Sequence, residues 1–208
     1  MENKEINKLS NLPSDKWKLK VKDHQKLLPK TQRTQILQEF HEIIKELNVD
    51  VFLTGGTLLG AIRENDFIEW DDDIDTDMLY EDFIIYMHNL KKNFIKAGFI
   101  VRLNESKSFP KMSIYKDGQK IAIGALVKKG RWRVRPAYRY QDKFFKEKKI
   151  INFKGMNFLV PYPAETFLSW VYGDWKTPIN SDDENEYMNQ KHLQFKRLSF
   201  RIKIRILK

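Results

Sequence analysis

The sequence contains no cysteine, which excludes disulfides and thiolate-ligated metals. Its four histidines are scattered with no close pair, so the usual zinc sites are excluded as well. Any metal bound here has to be held by oxygen. No run approaches the roughly 18 apolar residues of a membrane-spanning helix, and the polar stretch Met1 to Ser10 has no signal-like apolar core. The expected location is the cytoplasm, with peripheral contact at the inner membrane surface as an extension. Internal repeats, low-complexity segments and linker-like stretches are also missing, which argues against an array of modules.

What remains is enough for one sizeable domain: 208 residues, 41% of them hydrophobic and 13% aromatic. The formal charge of +10 is unevenly spread. Ten acidic side chains and no basic one lie between Glu64 and Asp82, whereas Lys128 to Lys149 holds ten basic residues against Asp142 and Glu147. The last eighteen residues add seven basic groups and no acid. A basic surface around an acidic pocket suits a polyanionic partner such as a phosphorylated glycan, an anionic lipid surface or a nucleic acid, and a merely solvated surface fits composition equally well. Nucleic acid is the disfavoured partner, because the acidic run repels phosphate unless metal intervenes.

Residues 1–30 are Lys-rich and weakly patterned, and are expected to form a basic arm laid on the domain or left loose. From Thr31 to Asn48, Ile36, Leu37, Phe40, Ile43, Ile44 and Leu47 make the stripe of an amphipathic helix. Val51 to Thr54 reads as a buried strand ended by Gly55-Gly56, and Thr57 is placed to cap a short helix through Arg63. Asp73 to Leu79 alternates carboxylates with Ile74, Thr76 and Met78, which is strand periodicity with Asp73, Asp75 and Asp77 on one face. A helix over Tyr80 to Ala97 follows, then a strand over Phe99 to Leu103. Strands at Lys111 to Tyr115 and Gln119 to Val127 flank Asp117-Gly118, a strong hairpin signal. A further strand pair surrounds Lys154-Gly155, and a helix runs from Ala164 to Tyr172. The predicted class is α/β (α+β), a mixed sheet flanked by helices: a main domain over 31–180 and a basic C-terminal extension over 181–208, with a small helical part.

Chemistry concentrates between Thr54 and Asp77. Glycines between a strand and a helix let backbone N–H groups approach a phosphate closely. Unit charges ~4 Å apart repel by roughly 1 kcal/mol in water and ~4 kcal/mol at an effective dielectric of 20, so three carboxylates on one strand face call for a cation. Oxygen-only ligands match Mg²⁺ or Mn²⁺. The aromatics Trp132, Tyr138, Tyr140, Trp170, Tyr172 and Trp175 can stack on a sugar or cage a quaternary amine, although packing accounts for most of them. Arg131, Arg133, Arg135 and Arg139 can receive an anionic acceptor or a diphosphate.

The words Gly55-Gly-Thr-Leu-Leu-Gly60 and Trp70-Asp-Asp-Asp-Ile-Asp75 resemble the LicD family of phosphotransferases, which includes phosphorylcholine transferases and fukutin-related enzymes. Val160-Pro161, Tyr172-Gly-Asp-Trp175 and Pro178 are similar to that family's closing words, so the resemblance spans about residues 31 to 180. It implies a nucleotidyltransferase fold and metal-dependent transfer of a phospho-substituent from a CDP-linked donor to a hydroxyl of a cell-surface glycan or its precursor (lipopolysaccharide, teichoic acid or capsule), with release of CMP. It further implies Asp73 and Asp75 as metal ligands supported by Asp71 or Asp72, and Gly55, Gly56 and Thr57 as the donor phosphate site. Lys111 is a candidate second phosphate contact.

The chain departs from the family at one place. A strand after the hairpin usually carries an Asp in words like Ile-Asp-Ile, and here Ala122 stands in Ile121-Ala-Ile123. Either Asp77 takes over that role or the chain is catalytically impaired and serves as a glycan-binding form. Transfer of the nucleotidyl group itself onto a small molecule is the alternative enzymatic reading.

Overall fold

The computed structural model describes residues 3–22, 25–136, 138–181 and 188–189. Helix α3 (Lys30–Glu46) starts directly after Pro29, whose ring fixes a φ suited to helix entry, and buries Ile36, Leu37, Phe40, Ile43 and Ile44 as its periodicity predicts. After the two-residue strand β1 (Phe52–Leu53) come α4 (Gly55–Arg63), β2 (Asp73–Leu79) and α5 (Tyr80–Lys96). Helix α5 packs on α3 through stacked Phe40 and Phe94, 5.4 Å apart. Strands β3 (Ile100–Asn104), β4 (Lys111–Lys116) and β5 (Gln119–Lys129) form a meander. Its hairpin turns at Asp117-Gly118, both with positive φ, as the Asp-Gly pair predicts.

Strand β5 continues past its partner and bends into a smaller ribbon with β6 (Trp132–Arg135) and β7 (Tyr138–Gln141). Strands β8 (Lys149–Phe153) and β9 (Met156–Val160) pair around Lys154-Gly155, and α6 (Ala164–Tyr172) closes the described fold. The main sheet runs β3-β4-β5-β2-β1-β9-β8. Pairs β2/β5 and β1/β9 are parallel and the others antiparallel, so the predicted class, a mixed sheet flanked by helices, is the one observed. Ile74 and Met78 are fully buried in the core, which leaves the aspartates of β2 on the opposite face.

Four elements escape the sequence pattern. Residues 1–30 hold α1 (Asn3–Ser10) and α2 (Ser14–Lys20), each too short to show periodicity. They lie on the domain. Ile6 is buried, the Ser10 hydroxyl accepts the Val101 N–H of edge strand β3 at 2.9 Å, and Arg102 donates to the Leu12 carbonyl at 2.7 Å. Trp17 meets Tyr115 edge-on at 5.2 Å with the Arg102 guanidinium over its ring. These contacts cover a strand edge that would otherwise pair with other chains. The other two are β6 and β7, hidden in the basic run. Of the basic extension, only Ser181, Met188 and Asn189 are described; its tail lies outside the described residues.

The docking of α1 and α2 makes a test. Trp17→Ala is expected to lower stability by roughly 3 kcal/mol, in the range for buried Trp truncation, with divalent-metal binding unchanged. Chemical denaturation checks it, and an unaltered midpoint would return these residues to a loose arm.

Candidate active site

Strand β1 passes into α4 without a loop because Gly55 takes a left-handed φ of 54°. The two glycines are also required by space. A Cβ on Gly55 would lie 2.1 Å from Asp75 Oδ2, and one on Gly56 would lie 2.2 Å from Asp71 Oδ2. The Gly56 N–H donates to Asp75 Oδ2 at 3.3 Å. Thr57 does not cap α4, which begins two residues earlier, and it does not face the cavity. It is buried, and its hydroxyl accepts the Asp75 N–H at 2.9 Å, so it fixes the strand that carries the carboxylates.

The loop between α4 and β2 is pinned at both ends. Asp66 pairs with Lys30 at 3.0 Å and with Lys154, which outweigh burial and hold its pKa down at about 2. Arg33 on α3 is almost wholly buried, lies over Phe67 at 4.3 Å, and donates to the carbonyls of Asp71 (2.6 Å) and Asp73 (2.9 Å). Spending both contacts on carbonyls orients the acidic run while leaving its carboxylates unpaired by Arg33. Its charge remains close enough to favour the ionised form of Asp71.

Parallel register sets β5 beside β2 with Lys120 opposite Asp73, Ala122 opposite Asp75 and Gly124 opposite Asp77. Lys120 pairs with Asp73. Asp77 is fully buried and accepts from Arg135 at 2.8 Å. Gly124 makes that possible, since a Cβ there would lie 2.3 Å from Asp77 Oδ1 and 3.0 Å from the guanidinium. Burial works against the Arg135 charge, and Asp77 outweighs it. Asp71 and Asp75 have no such hydrogen-bonded cation among the described residues. Burial, then repulsion from Asp73 and Asp75, pushes Asp71 up to about 8; burial and Asp73 push Asp75 to about 6. Carboxylate oxygens of Asp71, Asp72 and Asp73 lie within 4.8 Å of one another. An oxygen-only set with excess negative charge fits a hard divalent cation.

A cavity of about 440 Å³ opens over this cluster. Gly55, Gly56, Asp71, Asp72, Asp73 and Asp75 line one side, with Trp70 at the rim, and Tyr138, Tyr140, Tyr172 and Trp175 form the other wall around Arg135. Its size is that of a small-molecule site. Several expected residues lie elsewhere. Lys111 is exposed at the start of β4, two strands and therefore ~10 Å across the sheet from β2, outside the lining. Ala122 shares the face of Asp75 but does not line the cavity. Asp77 is locked under Arg135, also outside the lining. The four arginines separate: Arg131 is exposed beside Trp132, Arg139 lies over the same ring at 4.9 Å, Arg135 enters the cavity, and Arg133 is buried away from it. Its guanidinium donates to Asp142 and Glu81, both at 2.7 Å.

Arg33 and Lys120 are the site residues that the sequence pattern passes over. Arg33 falls three residues before Ile36 and four before Leu37, on the apolar stripe of α3, where a charge signals a buried partner. Lys120 alternates with Ala122 and Gly124, so the parallel register with β2 sets it against the aspartates.

The metal-free site has a definite pH dependence. A raised folded-state pKa contributes stability that is full below the usual carboxylate value near ~4 and is lost as pH rises through the folded values, here about 6 for Asp75 and about 8 for Asp71. Melting in EDTA should therefore fall as pH rises across that window, and Asp71→Asn should flatten its upper part. At pH near ~7, Asp75→Asn should raise the melting temperature, whereas Asp73→Asn should not, because it strands Lys120. Parallel wild-type and Asp71→Asn curves would contradict the assignment.

Residues 48–163, more than half of the chain, match the family described as LicD/FKTN/FKRP, nucleotidyltransferase domain. An uncharacterized protein of Rickettsia typhi is 32% identical over 71 residues, 34% of this chain and 23% of that one. The lipopolysaccharide cholinephosphotransferase LicD of Haemophilus influenzae is 46% identical over 53 residues, 26% of this chain and 17% of that one. The chain thus spans about a quarter or less of the length of the curated relatives it matches. Among solved structures, ANT(2")-Ia in complex with adenylyl-2"-tobramycin aligns with a TM-score of 0.44 at 13% identity, over 62% of this chain and 69% of that one. On the span of the family match, the chain belongs to the LicD/FKTN/FKRP nucleotidyltransferase-domain family.

Proposed function

We propose that the chain is a Mg²⁺- or Mn²⁺-dependent phosphotransferase that moves a phospho-substituent from a CDP-linked donor to a hydroxyl of an anionic cell-surface glycan or its lipid-linked precursor, releasing CMP. One observation carries the reading: a single cavity combines a Gly-Gly turn at a helix N-terminus, carboxylates lacking a cation, and a partly buried arginine. Asp73 and Asp75, with Asp71 in support, would hold the ion. When bound, the ion supplies positive charge to the phosphoryl oxygens. The amino end of α4 at Gly55 and Gly56 directs its dipole toward the donor phosphate. Arg135, kept charged by Asp77, neutralises the diphosphate, and the tyrosine wall packs against the base or the transferred group. Asp71 takes the proton of the acceptor hydroxyl as the new phosphoester bond forms and CMP leaves. The name of the Haemophilus influenzae relative supports testing phosphocholine first.

The test is a product analysis with CDP-choline, CDP-ribitol and CDP-glycerol, with Mn²⁺ or EDTA. CMP released only with Mn²⁺ and an acceptor is the expected result. Pyrophosphate released from CTP in transfer to a small molecule would instead support the nucleotidyltransferase alternative.

Ala122 supplies a sharper test, because its Cβ lies one strand spacing, ~4.8 Å, from Asp75. Ala122→Asp is expected to tighten Mn²⁺ binding by placing a further carboxylate beside Asp75, and Ala122→Asn, a neutral ligand, should tighten it less. Destabilisation with no gain in metal affinity would identify position 122 as a packing position only.

A further inference from the structure

The face that β5 turns toward the aspartates carries a cation, a methyl group and a gap, in that order. Lys120 lies opposite Asp73 and pairs with it, Ala122 lies opposite Asp75, and the gap at Gly124 is filled by Arg135 on Asp77. Arg33 adds a third fixed positive charge behind the loop. Against Asp71, Asp72, Asp73, Asp75 and Asp77 these three cations leave two net negative charges. A single divalent ion balances them. A second would have to take Asp73 Oδ2 from Lys120 and sit beside its ammonium, where the first ion has already met the carboxylate charge. Sites that clamp a transferring phosphoryl group with two ions, ~3.5–4 Å apart, need shared carboxylates on both sides.

We propose that Lys120 takes the place of a second divalent cation, so that this site holds one ion, with the Lys120–Asp73 pair and the methyl group of Ala122 together excluding another. This rests on the metal-dependent reading above and assigns Lys120 as a positioning residue acting through Asp73. The ammonium on Asp73 supplies, as a permanent part of the chain, positive charge that a two-ion site recruits from solution. Substituting only one of positions 120 and 122 leaves the second ion without either an open carboxylate or enough ligands.

Mn²⁺ titration in the presence of CDP, followed by electron paramagnetic resonance of free Mn²⁺ and by calorimetry, tests this without reference to turnover. Wild type should bind one ion. Lys120→Met should still bind one, roughly tenfold more tightly, because a like charge has been removed nearby. Lys120→Met combined with Ala122→Asp should bind two, and Lys120→Arg combined with Ala122→Asp should stay at one. Circular dichroism establishes that each variant is folded. Two ions on wild type, unchanged affinity in Lys120→Met, or one ion on the folded Lys120→Met/Ala122→Asp variant would each overturn the inference and leave the proposed function standing. No ion on any variant would remove both.

Discussion

Repulsion among the carboxylates gathered at the Gly55-Gly56 turn is the constraint on which the rest of the structure depends. The glycines are there because Asp75 and Asp71 occupy the space a side chain would need. Thr57, Arg33, Lys120 and Arg135 each spend their polar groups on holding the acidic run in place or on balancing part of its charge. At an effective dielectric near 20, each close pair of like charges costs ~4 kcal/mol. A sequence that retains such a cluster at a cavity wall stores unfavourable electrostatic energy, which a cation bound there would release.

The sheet order explains why the compensation is incomplete. Parallel β5 can offer β2 one side chain per aspartate, and two of the three positions are used: Lys120 directly, and Gly124 by admitting Arg135 from the adjoining ribbon. The middle position carries Ala122. Asp75 is therefore the strand carboxylate left open, and Asp71, delivered by the loop that Arg33 holds, joins it. The uncompensated charge faces the cavity, while the compensated charge of Asp77 sits beneath Arg135.

Much of this was legible in the sequence, and the exceptions share a cause. The stripe of α3, the alternation in β2 and the Asp-Gly hairpin are local periodicities, and each formed the element it predicts. The acidic run and the paired glycines were readable for the same reason. Side chains whose roles depend on distant partners were not. Arg133 looks available in a basic run, yet Glu81, fifty-two residues away, and Asp142 occupy it. Lys111 opens the first strand of the hairpin, and sheet order sets it two strands away from β2. Helices α1 and α2 gain their order from β3 and Tyr115. Arg33 and Lys120 carried faint signals, a charge on an apolar stripe and a cation on the aspartate side of a hairpin.

On the proposed reading, the folded chain holds an electrostatically incomplete site that a divalent cation would complete. The most direct measurement of this is the melting temperature of wild type and Asp75→Asn in EDTA and in excess Mn²⁺ near neutral pH. Wild type should rise clearly with Mn²⁺, and Asp75→Asn little or not at all. An equal response of the two proteins, or no response in wild type, would contradict it.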